Sequence, residues 1–210
     1  MNPGLLISFE GSDGSGKSTQ IALLETWLKE QNRPVAVFRE PGGSTISEAI
    51  RAILLDPGHT AMAADTELLL YTASRMQLLH EKVCPALAEG RVVILDRFAD
   101  STTAYQGWGR GLPLERVRQL NELVRSIAWP RRTYWLDLDP ATGLARAGSR
   151  GAEADRLERE RLEFFLAVRE GYRRIHAEDP QRVIKLDAGA AVNQIAMRIR
   201  EDLSLLLPRP

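Results

Sequence analysis

The feature that most constrains the fold of this chain is a glycine-rich segment, residues 11–18, between a predicted strand and a predicted helix. The segment fits the pattern G-x-x-x-x-G-K-S/T. Residues 5–9 before it are apolar and predict a buried strand, and residues 19–31 after it carry apolar side chains at helical spacing. A glycine loop that enters a helix N-terminus turns backbone N–H groups toward an anion. The sequence therefore predicts a site for a nucleoside triphosphate.

The side chains of this loop indicate how the phosphates are held. Lys17 is expected to reach the outer phosphates, and the Ser18 hydroxyl to ligate Mg²⁺. Asp13, inside the loop, could hold Mg²⁺ through water or accept a hydroxyl from a second substrate. The structural alternatives are a turn-capping role for Asp13 and a chance glycine turn for the whole motif. The strand–loop–helix context favours the functional interpretation.

Strand-like and helix-like segments alternate along the whole chain. This alternation predicts an α/β fold with a parallel sheet, helices on both faces, and ligands at the carboxyl ends of the strands. The predicted strands are 5–10, 35–39, 92–96, 133–138 and 183–187. The predicted helices are 18–31, 45–55, 65–88, 113–128, 140–147, 156–178 and 191–206.

Composition narrows the class of protein. A length of 210 residues suits one domain, and 28 basic against 28 acidic side chains disfavour a general nucleic-acid binder. The single cysteine, Cys84, excludes an internal disulfide and fits a reducing compartment. We expect a cytoplasmic protein with no membrane partner, because no apolar stretch approaches a membrane span and no signal peptide is visible.

Charged residues follow the second and third strands, where a parallel sheet binds its ligands. Arg39 could meet an anion or be a surface arginine. Asp96 stands where a second carboxylate would support Mg²⁺, and the fork of Arg97 suits a phosphate. The alternative is a structural ion pair between them. Residues 101–106 are polar and aromatic and could contact a base and its sugar; residues 107–111 predict a loop.

Two further patterns could serve a second substrate. Tyr71 and Arg75 share a helix face and could hold a flat heterocycle, although a core aromatic beside a solvated arginine is a common alternative. Arginines with small, flexible residues follow the fourth strand, including Arg146, Arg150 and Arg156. They indicate a flap that closes over a phosphoryl-transfer site, or else an ordinary charged helix. No Asn-Lys pair occurs, so the guanine-reading motif of GTPases is absent.

Several segments together resemble the thymidylate kinase family over nearly the whole chain. They are residues 9–20, 39–44, 71–75, 96–98, 101–106 and 155–158. The resemblance implies the P-loop NTPase kinase fold, a five-stranded parallel sheet flanked by helices. It also implies one kinase domain over residues 1–210, with a short arginine-rich lid at about 146–158.

The resemblance implies a role for each matching residue. The catalytic residues would be Lys17, Asp13, Arg97 and Arg150. ATP would be bound by Gly11, Ser12, Asp13, Gly14, Ser15, Gly16, Lys17, Ser18, Thr19 and Arg146. The acceptor dTMP would be bound by Asp13, Arg39, Tyr71, Arg75, Arg97, Thr102, Tyr105 and Gln106. Mg²⁺ would lie near Ser18 and Asp96.

The residues that would bind dTMP would each contact a different part of this nucleotide. Tyr71 would stack on thymine, Arg75 would bond the O4 edge, and Thr102 would meet the N3 side. Tyr105 would crowd the 2′ position and favour deoxyribose. Arg97 would hold the acceptor phosphate, with Arg39 beside it, and Arg146 would lie against adenine.

The family varies at two of the matching positions, and it also implies one feature of the backbone. The family more often has Phe where Tyr71 stands. One layout of the family has a basic residue at the position of Gly14, so here lid arginines, chiefly Arg150, are expected to meet the transition-state charge. The Glu40–Pro41 peptide bond is expected to be cis.

The function implied is ATP-dependent phosphorylation of dTMP to dTDP, with Mg²⁺ as cofactor. A homodimer formed by helix packing is also expected, with residues 65–88 as a plausible surface. Two alternatives stay open: a kinase for another acceptor, such as a different monophosphate or a deoxynucleoside, and a nucleotide-binding regulatory protein without turnover.

Overall fold

The computed structural model describes residues 4–148 and 155–207. Its centre is a parallel sheet in the order β2-β3-β1-β4-β5. The strands are β1 (Leu5–Glu10), β2 (Val35–Arg39), β3 (Val92–Asp96), β4 (Arg132–Asp137) and β5 (Val183–Asp187). Because the strands are parallel, their carboxyl ends lie along one edge of the sheet. The predicted α/β fold is confirmed.

Helices connect the strands and cover both faces of the sheet. They are α1 (Lys17–Glu30), α2 (Thr45–Leu55), α3 (Ala64–Leu78), α4 (Cys84–Ala88), α5 (Ala99–Thr102), α6 (Leu114–Arg125), α7 (Pro140–Gly148), α8 (Leu162–Glu178) and α9 (Val192–Ser204). Two π-helical segments, Leu79–Val83 and Thr103–Gly109, continue α3 into α4 and extend α5. No helix in residues 4–148 or 155–207 has the length and apolar character needed to cross a bilayer.

The core lies on both sides of β1 and β3, which explains their largely apolar sequences. Ile7 and Ile94 pack on one face with residues of α1 and α9. Leu6 and Leu95 pack on the other face with the end of α3 and the π-helical segment after it. Burying such a side chain contributes about 1.5–3 kcal/mol, so the sheet is a firm base for the loops at its edge.

Several predicted boundaries are wrong, among them those of the fourth strand and the start of α8. The fourth strand covers 132–137 and not 133–138, because Arg132 pairs with Ile7 in the sheet and its Nε donates to Asp202 over 2.8 Å. Helix α8 begins at Leu162 and not at residue 156. Residues 155–160 form turns instead, and the Arg156 N–H donates to the Leu55 carbonyl at the end of α2.

The segment at residues 107–111 is only partly a loop, because π-helical structure runs through Gly109. The indole ring of Trp108 packs on α8 at Gly171, which has no side chain. A Cβ on Gly171 would lie 2.8 Å from the Trp108 ring. This contact joins two helices far apart in the sequence, so the local glycines predicted a loop where tertiary packing makes a helix.

Candidate active site

The loop after β1 follows a path that favours glycine at three positions. Gly11, Gly14 and Gly16 have φ values of 132°, 77° and 90°. A Cβ on Gly11 would lie 2.5 Å from the Leu136 carbonyl oxygen, and one on Gly14 would lie 2.5 Å from that of Gly143. The loop therefore packs directly against the backbone of β4 and α7, and its N–H groups are set at the start of α1.

The ammonium group of Lys17 is folded back onto this loop. Its Nζ donates to the carbonyl oxygens of Gly11 and Ser12 over 2.9 and 3.0 Å and lies 3.9 Å from an Asp13 carboxylate oxygen. Burial and the nearby Arg97 lower the pKa of Lys17 to about 8, although the neighbouring carboxylates oppose this decrease. A polyanion here would stabilise the charged form of Lys17.

A cavity of about 420 Å³ opens above the loop; we call it the phosphate pocket. The residues that line it come from the loop and from the ends of three neighbouring elements. They are Asp13, Gly14, Gly16, Lys17, Ser18, Thr19, Arg39, Glu40, Arg51, Asp96 and Arg97. Backbone N–H groups of a glycine loop and positively charged side chains that converge on one cavity are suited to binding a phosphate chain.

Arg97 has an unusual backbone that aims it at the loop. Its φ is 72°, in the left-handed region that non-glycine residues rarely occupy. Its Nη1 donates to the Gly11 carbonyl over 2.9 Å, and its Nη2 donates to Asp13 over 2.9 Å. The guanidinium also lies 5.1 Å from the centre of the Tyr105 ring. Burial opposes ionisation, but Tyr105 and Asp13 raise the pKa of Arg97.

A second cavity adjoins the first; we call it the acceptor pocket. Helices α2, α3 and α5, the loop after β2 and the segment that precedes α8 contribute its walls. The lining residues are Asp13, Glu40, Pro41, Arg51, Leu55, Tyr71, Arg97, Ser101, Thr102, Tyr105, Gln106, Asp155 and Leu157. The two pockets share Asp13, Glu40, Arg51 and Arg97, so they meet at one charged wall.

Six predicted dTMP residues line the acceptor pocket: Asp13 and Arg97 on the shared wall, and Tyr71, Thr102, Tyr105 and Gln106. Burial raises the pKa of Tyr71, and it raises the pKa of Tyr105 to about 12, so both phenols are neutral. The Tyr71 hydroxyl makes no hydrogen bond within the described ranges. The wall that Tyr71 and Tyr105 form is therefore aromatic and uncharged. It lies beside the charged wall that the two pockets share.

Arg75 lies behind the pocket wall with a side chain that is 1% exposed. Its Nε donates to Glu40 over 2.6 Å and its Nη1 to the Thr102 hydroxyl over 2.9 Å. Burial raises the pKa of Glu40 to about 7, and Arg75 opposes this increase. The Glu40–Pro41 bond is cis, as expected. Arg75 thus supports two wall residues from behind.

Glu10 is a buried carboxylate next to Ser101 of the acceptor pocket. This fully buried carboxylate, at the end of β1, accepts hydrogen bonds from the Phe98 N–H over 2.8 Å and the Tyr172 hydroxyl over 2.9 Å. Ser101 donates to it as well. Burial, together with Asp100, raises the pKa of Glu10 to about 7. Sequence reasoning missed this residue, although a carboxylate that ends an apolar strand before the loop was a signal.

Arg51 is the second residue that sequence reasoning missed, and it lines both pockets. Its Nη1 donates to the Pro41 carbonyl over 2.8 Å, which directs α2 toward the loop after β2. Arg39, which was predicted, is exposed and forms a two-bond pair with Glu48 over 3.0 and 3.1 Å. It lines only the phosphate pocket. The available signal for Arg51 was a cation on the helix that follows a ligand-binding loop.

The predicted lid is only partly described. Arg146, at the end of α7, is exposed, and its Nη1 lies 3.5 Å from the Gly14 carbonyl oxygen. Arg150 lies outside the described residues. Arg156 lines neither pocket; its Nε donates to the Leu54 carbonyl over 2.8 Å, and it pairs with the buried Glu67 over 2.6 Å. The segment after the lid is thereby fastened to α2 and α3.

The geometry defines a class of protein: a P-loop phosphotransferase whose nucleotide site opens directly into a pocket for a second substrate. The model of the family described as thymidylate kinase matches residues 9–199. The chain belongs to the thymidylate kinase family, whose reaction is phosphorylation of dTMP to dTDP with ATP.

Individual relatives agree over nearly the full length. The chain is 47% identical to a thymidylate kinase of Symbiobacterium thermophilum, over 98% of this chain and 95% of that protein. It is equally similar, with the same coverage, to a thymidylate kinase of Ectopseudomonas mendocina. A crystal structure of thymidylate kinase from Ehrlichia chaffeensis superimposes with a TM-score of 0.76 at 32% identity, covering 96% of this chain and 99% of that one.

Proposed function

We propose that the phosphate pocket and the acceptor pocket hold ATP and dTMP end to end, and that the γ-phosphoryl group passes across their shared wall. The observation that carries this is the wall itself: Asp13, Glu40, Arg51 and Arg97 line both cavities. The loops after β1, β2 and β3 and helix α2 bring them together, so a phosphate on either side meets the same charges. Such positioning and charge neutralisation supply most of the catalysis in phosphoryl transfer.

The residues of the donor side would act as follows. The N–H groups of the loop, from Gly11 to Thr19, cradle the ATP phosphates, and Lys17 leaves its carbonyl partners for the outer phosphates. Lys17 is poised for this change because its present hydrogen bonds go to neutral carbonyls and its ion pair with Asp13 is long, at 3.9 Å. Arg146, on the outside of α7, would lie against adenine.

Two residues fit a Mg²⁺ ion. Ser18 and Asp96 both line the phosphate pocket, and the Asp96 carboxylate forms no hydrogen bond or ion pair within residues 4–148 and 155–207. Among those residues no three His, Cys, Asp or Glu side chains form a metal-binding group. This suits Mg²⁺, which takes few protein ligands together with water and substrate phosphates. When bound, it would neutralise charge on the transferring phosphate.

On the acceptor side, an oxygen of the dTMP phosphate attacks the γ-phosphorus, and the bond to the leaving ADP oxygen breaks. The acceptor phosphate is already ionised, so no general base is required. Arg97 and Arg51 hold the acceptor phosphate, and Tyr71 and Tyr105 pack on the base and the sugar. Asp13 keeps Arg97 in place through its 2.9 Å hydrogen bond. Arg150, on the predicted lid, remains a candidate for the transition-state charge.

A homodimer is part of the proposal, because α2 and α3 pack together and leave apolar side chains in solvent. Ile46, Ile53 and Leu69 are 54%, 44% and 57% exposed. Sedimentation of the purified chain should give a dimer, and Leu69→Glu should shift it toward monomer. We also propose one kinase domain over the whole chain and a cytoplasmic location, which the free thiol of Cys84 suits.

The decisive experiment is a coupled assay of ADP release with ATP and Mg²⁺ and a series of acceptors. The acceptors are dTMP, dUMP, dCMP, dGMP, dAMP, UMP and thymidine, each offered alone. We expect strong turnover with dTMP, weaker turnover with dUMP and almost none with the others. Preference for another acceptor would refute the thymine pocket and keep the kinase. ATP binding without any turnover would favour the regulatory alternative.

A further inference from the structure

One polar group on the acceptor pocket wall is oriented from outside the pocket. The Nε2 of Gln106 donates to a Glu67 carboxylate oxygen over 2.8 Å. An ionised carboxylate only accepts hydrogen bonds, so the amide must turn its NH₂ group toward Glu67. The side-chain oxygen Oε1 of Gln106 therefore points away from Glu67.

Glu67 itself is held firmly in the ionised form. Its side chain is 1% exposed, and Arg110 donates to both of its oxygens, over 3.2 and 3.1 Å. Arg156 pairs with it over 2.6 Å. Burial alone would raise the pKa of Glu67, but the hydrogen bonds from Arg110 and Gln106 outweigh burial and lower it. The Glu67 carboxylate, which accepts the hydrogen bond from Gln106, is thus held in one position and stays ionised.

The other end of the Gln106 amide is left for a ligand. Gln106 lines the acceptor pocket, and its side-chain oxygen Oε1 accepts no hydrogen bond from the described residues. Thr102 on the same wall is different, because its hydroxyl accepts from Arg75 and keeps a proton that it can donate. Thr102 can therefore adapt to either kind of partner, whereas the Gln106 oxygen can only accept.

We propose that Glu67 is a positioning residue for base selectivity: by fixing the Gln106 amide, it makes the pocket demand a ring N–H from the acceptor base. Thymine and uracil offer such a group between two carbonyls. Cytosine offers a bare ring nitrogen, which would face the Gln106 oxygen acceptor to acceptor. The inference rests on the proposed function, in which this pocket holds the base of the acceptor nucleotide.

The substitution Glu67→Gln tests the idea because it keeps the shape and changes one acceptor into a donor. Arg110 donates to Oε2 of Glu67 and Arg156 forms an ion pair with the same oxygen, whereas Oε1 receives Gln106 and one nitrogen of Arg110. The oxygen of the new amide should therefore take the Oε2 place, and its NH₂ should face Gln106. Gln106 would then turn over and present its own NH₂ to the pocket.

The experiment measures kcat/KM for dTMP and dUMP, and the inhibition constant of dCMP against dTMP, in wild type, Glu67→Gln and Glu160→Gln. Glu160 is the matched control, because it loses the same charge and also pairs with Arg110 without touching Gln106. For Glu67→Gln we expect dTMP and dUMP to weaken alike and the preference for dTMP over dCMP to fall by about 10- to 100-fold. Glu160→Gln should keep the wild-type preference.

An equal loss with all three nucleotides in a folded Glu67→Gln protein would overturn the inference, since a merely structural role predicts that result. If Glu67→Gln does not fold, Gln106→Met replaces it. That variant should weaken dTMP without weakening dCMP, and an unchanged preference would overturn the inference. A wild-type enzyme that prefers dCMP to dTMP would instead refute the proposed function, so the two failures are distinguishable.

Discussion

The phosphate pocket and the acceptor pocket are built in different ways. Most of the phosphate pocket comes from one stretch of chain, in which glycines place the backbone and Lys17 begins a helix. The acceptor pocket gathers side chains from widely separated elements, and buried ion pairs such as Glu40–Arg75 hold them. Contiguous backbone sites leave a pattern in the sequence, whereas assembled side-chain sites leave isolated residues.

The largest expected effect lies on the contiguous side. Lys17→Ala should lower kcat by about 10²- to 10³-fold, because it removes a desolvated cation from the developing phosphate charge. Steady-state turnover measures the effect, and circular dichroism checks the fold. Lys29→Ala is the matched control, because Lys29 is an exposed lysine on the same helix and its ion pair among the described residues is with Glu25. Normal turnover in folded Lys17→Ala would refute the role of the loop.

The next effect lies on the shared wall. Arg51→Ala should raise the KM for dTMP by about 10- to 100-fold, since it removes a half-buried cation that faces both pockets. Arg39→Ala should have a smaller effect, because Arg39 is exposed, screened by water and engaged by Glu48. Initial rates with dTMP varied at saturating ATP measure both. A larger effect at Arg39 would show that the residue found in sequence outweighs the one found in structure.

The pH dependence sharpens the contrast further. Lys17 has a pKa of about 8, so kcat/KM for ATP should fall about tenfold per pH unit above that value. The folded protein also releases this proton before the unfolded chain does, whose lysine has the ordinary value of 10.5. The free energy of unfolding contributed by Lys17 should therefore rise with pH between about 8 and 10.5. Chemical denaturation of wild type and Lys17→Ala across this range measures the difference, and parallel curves would contradict it.

The smallest effect is expected at the aromatic wall. Tyr71→Phe should change the KM for dTMP by less than about threefold, because the hydroxyl makes no hydrogen bond within the described residues and the ring is kept. Tyr71→Ala should raise the KM much more. If Tyr71→Phe behaved like Tyr71→Ala, the hydroxyl and not the ring would be the binding group.

The sequence predicted the sheet well, since four of the five strands have the predicted bounds. The apolar runs predicted them because both faces are covered. The glycine spacing also predicted the tight backbone of the loop, where Gly11, Gly14 and Gly16 all have positive φ values. The sequence did not predict that Arg75 would stand behind Thr102, or that Arg156 would fasten to Glu67, because these contacts depend on how α3 meets distant segments. Arg51 was missed for the same reason.

The common wall of the two pockets has a thermodynamic consequence. Whichever nucleotide arrives first changes the electrostatic field that the second one meets, so the two binding free energies are not independent. By linkage, the factor by which ATP alters the dissociation constant of dTMP must equal the factor by which dTMP alters that of ATP. Replacing Arg97 or Arg51 with a neutral residue would then change the coupling free energy between ATP binding and dTMP binding.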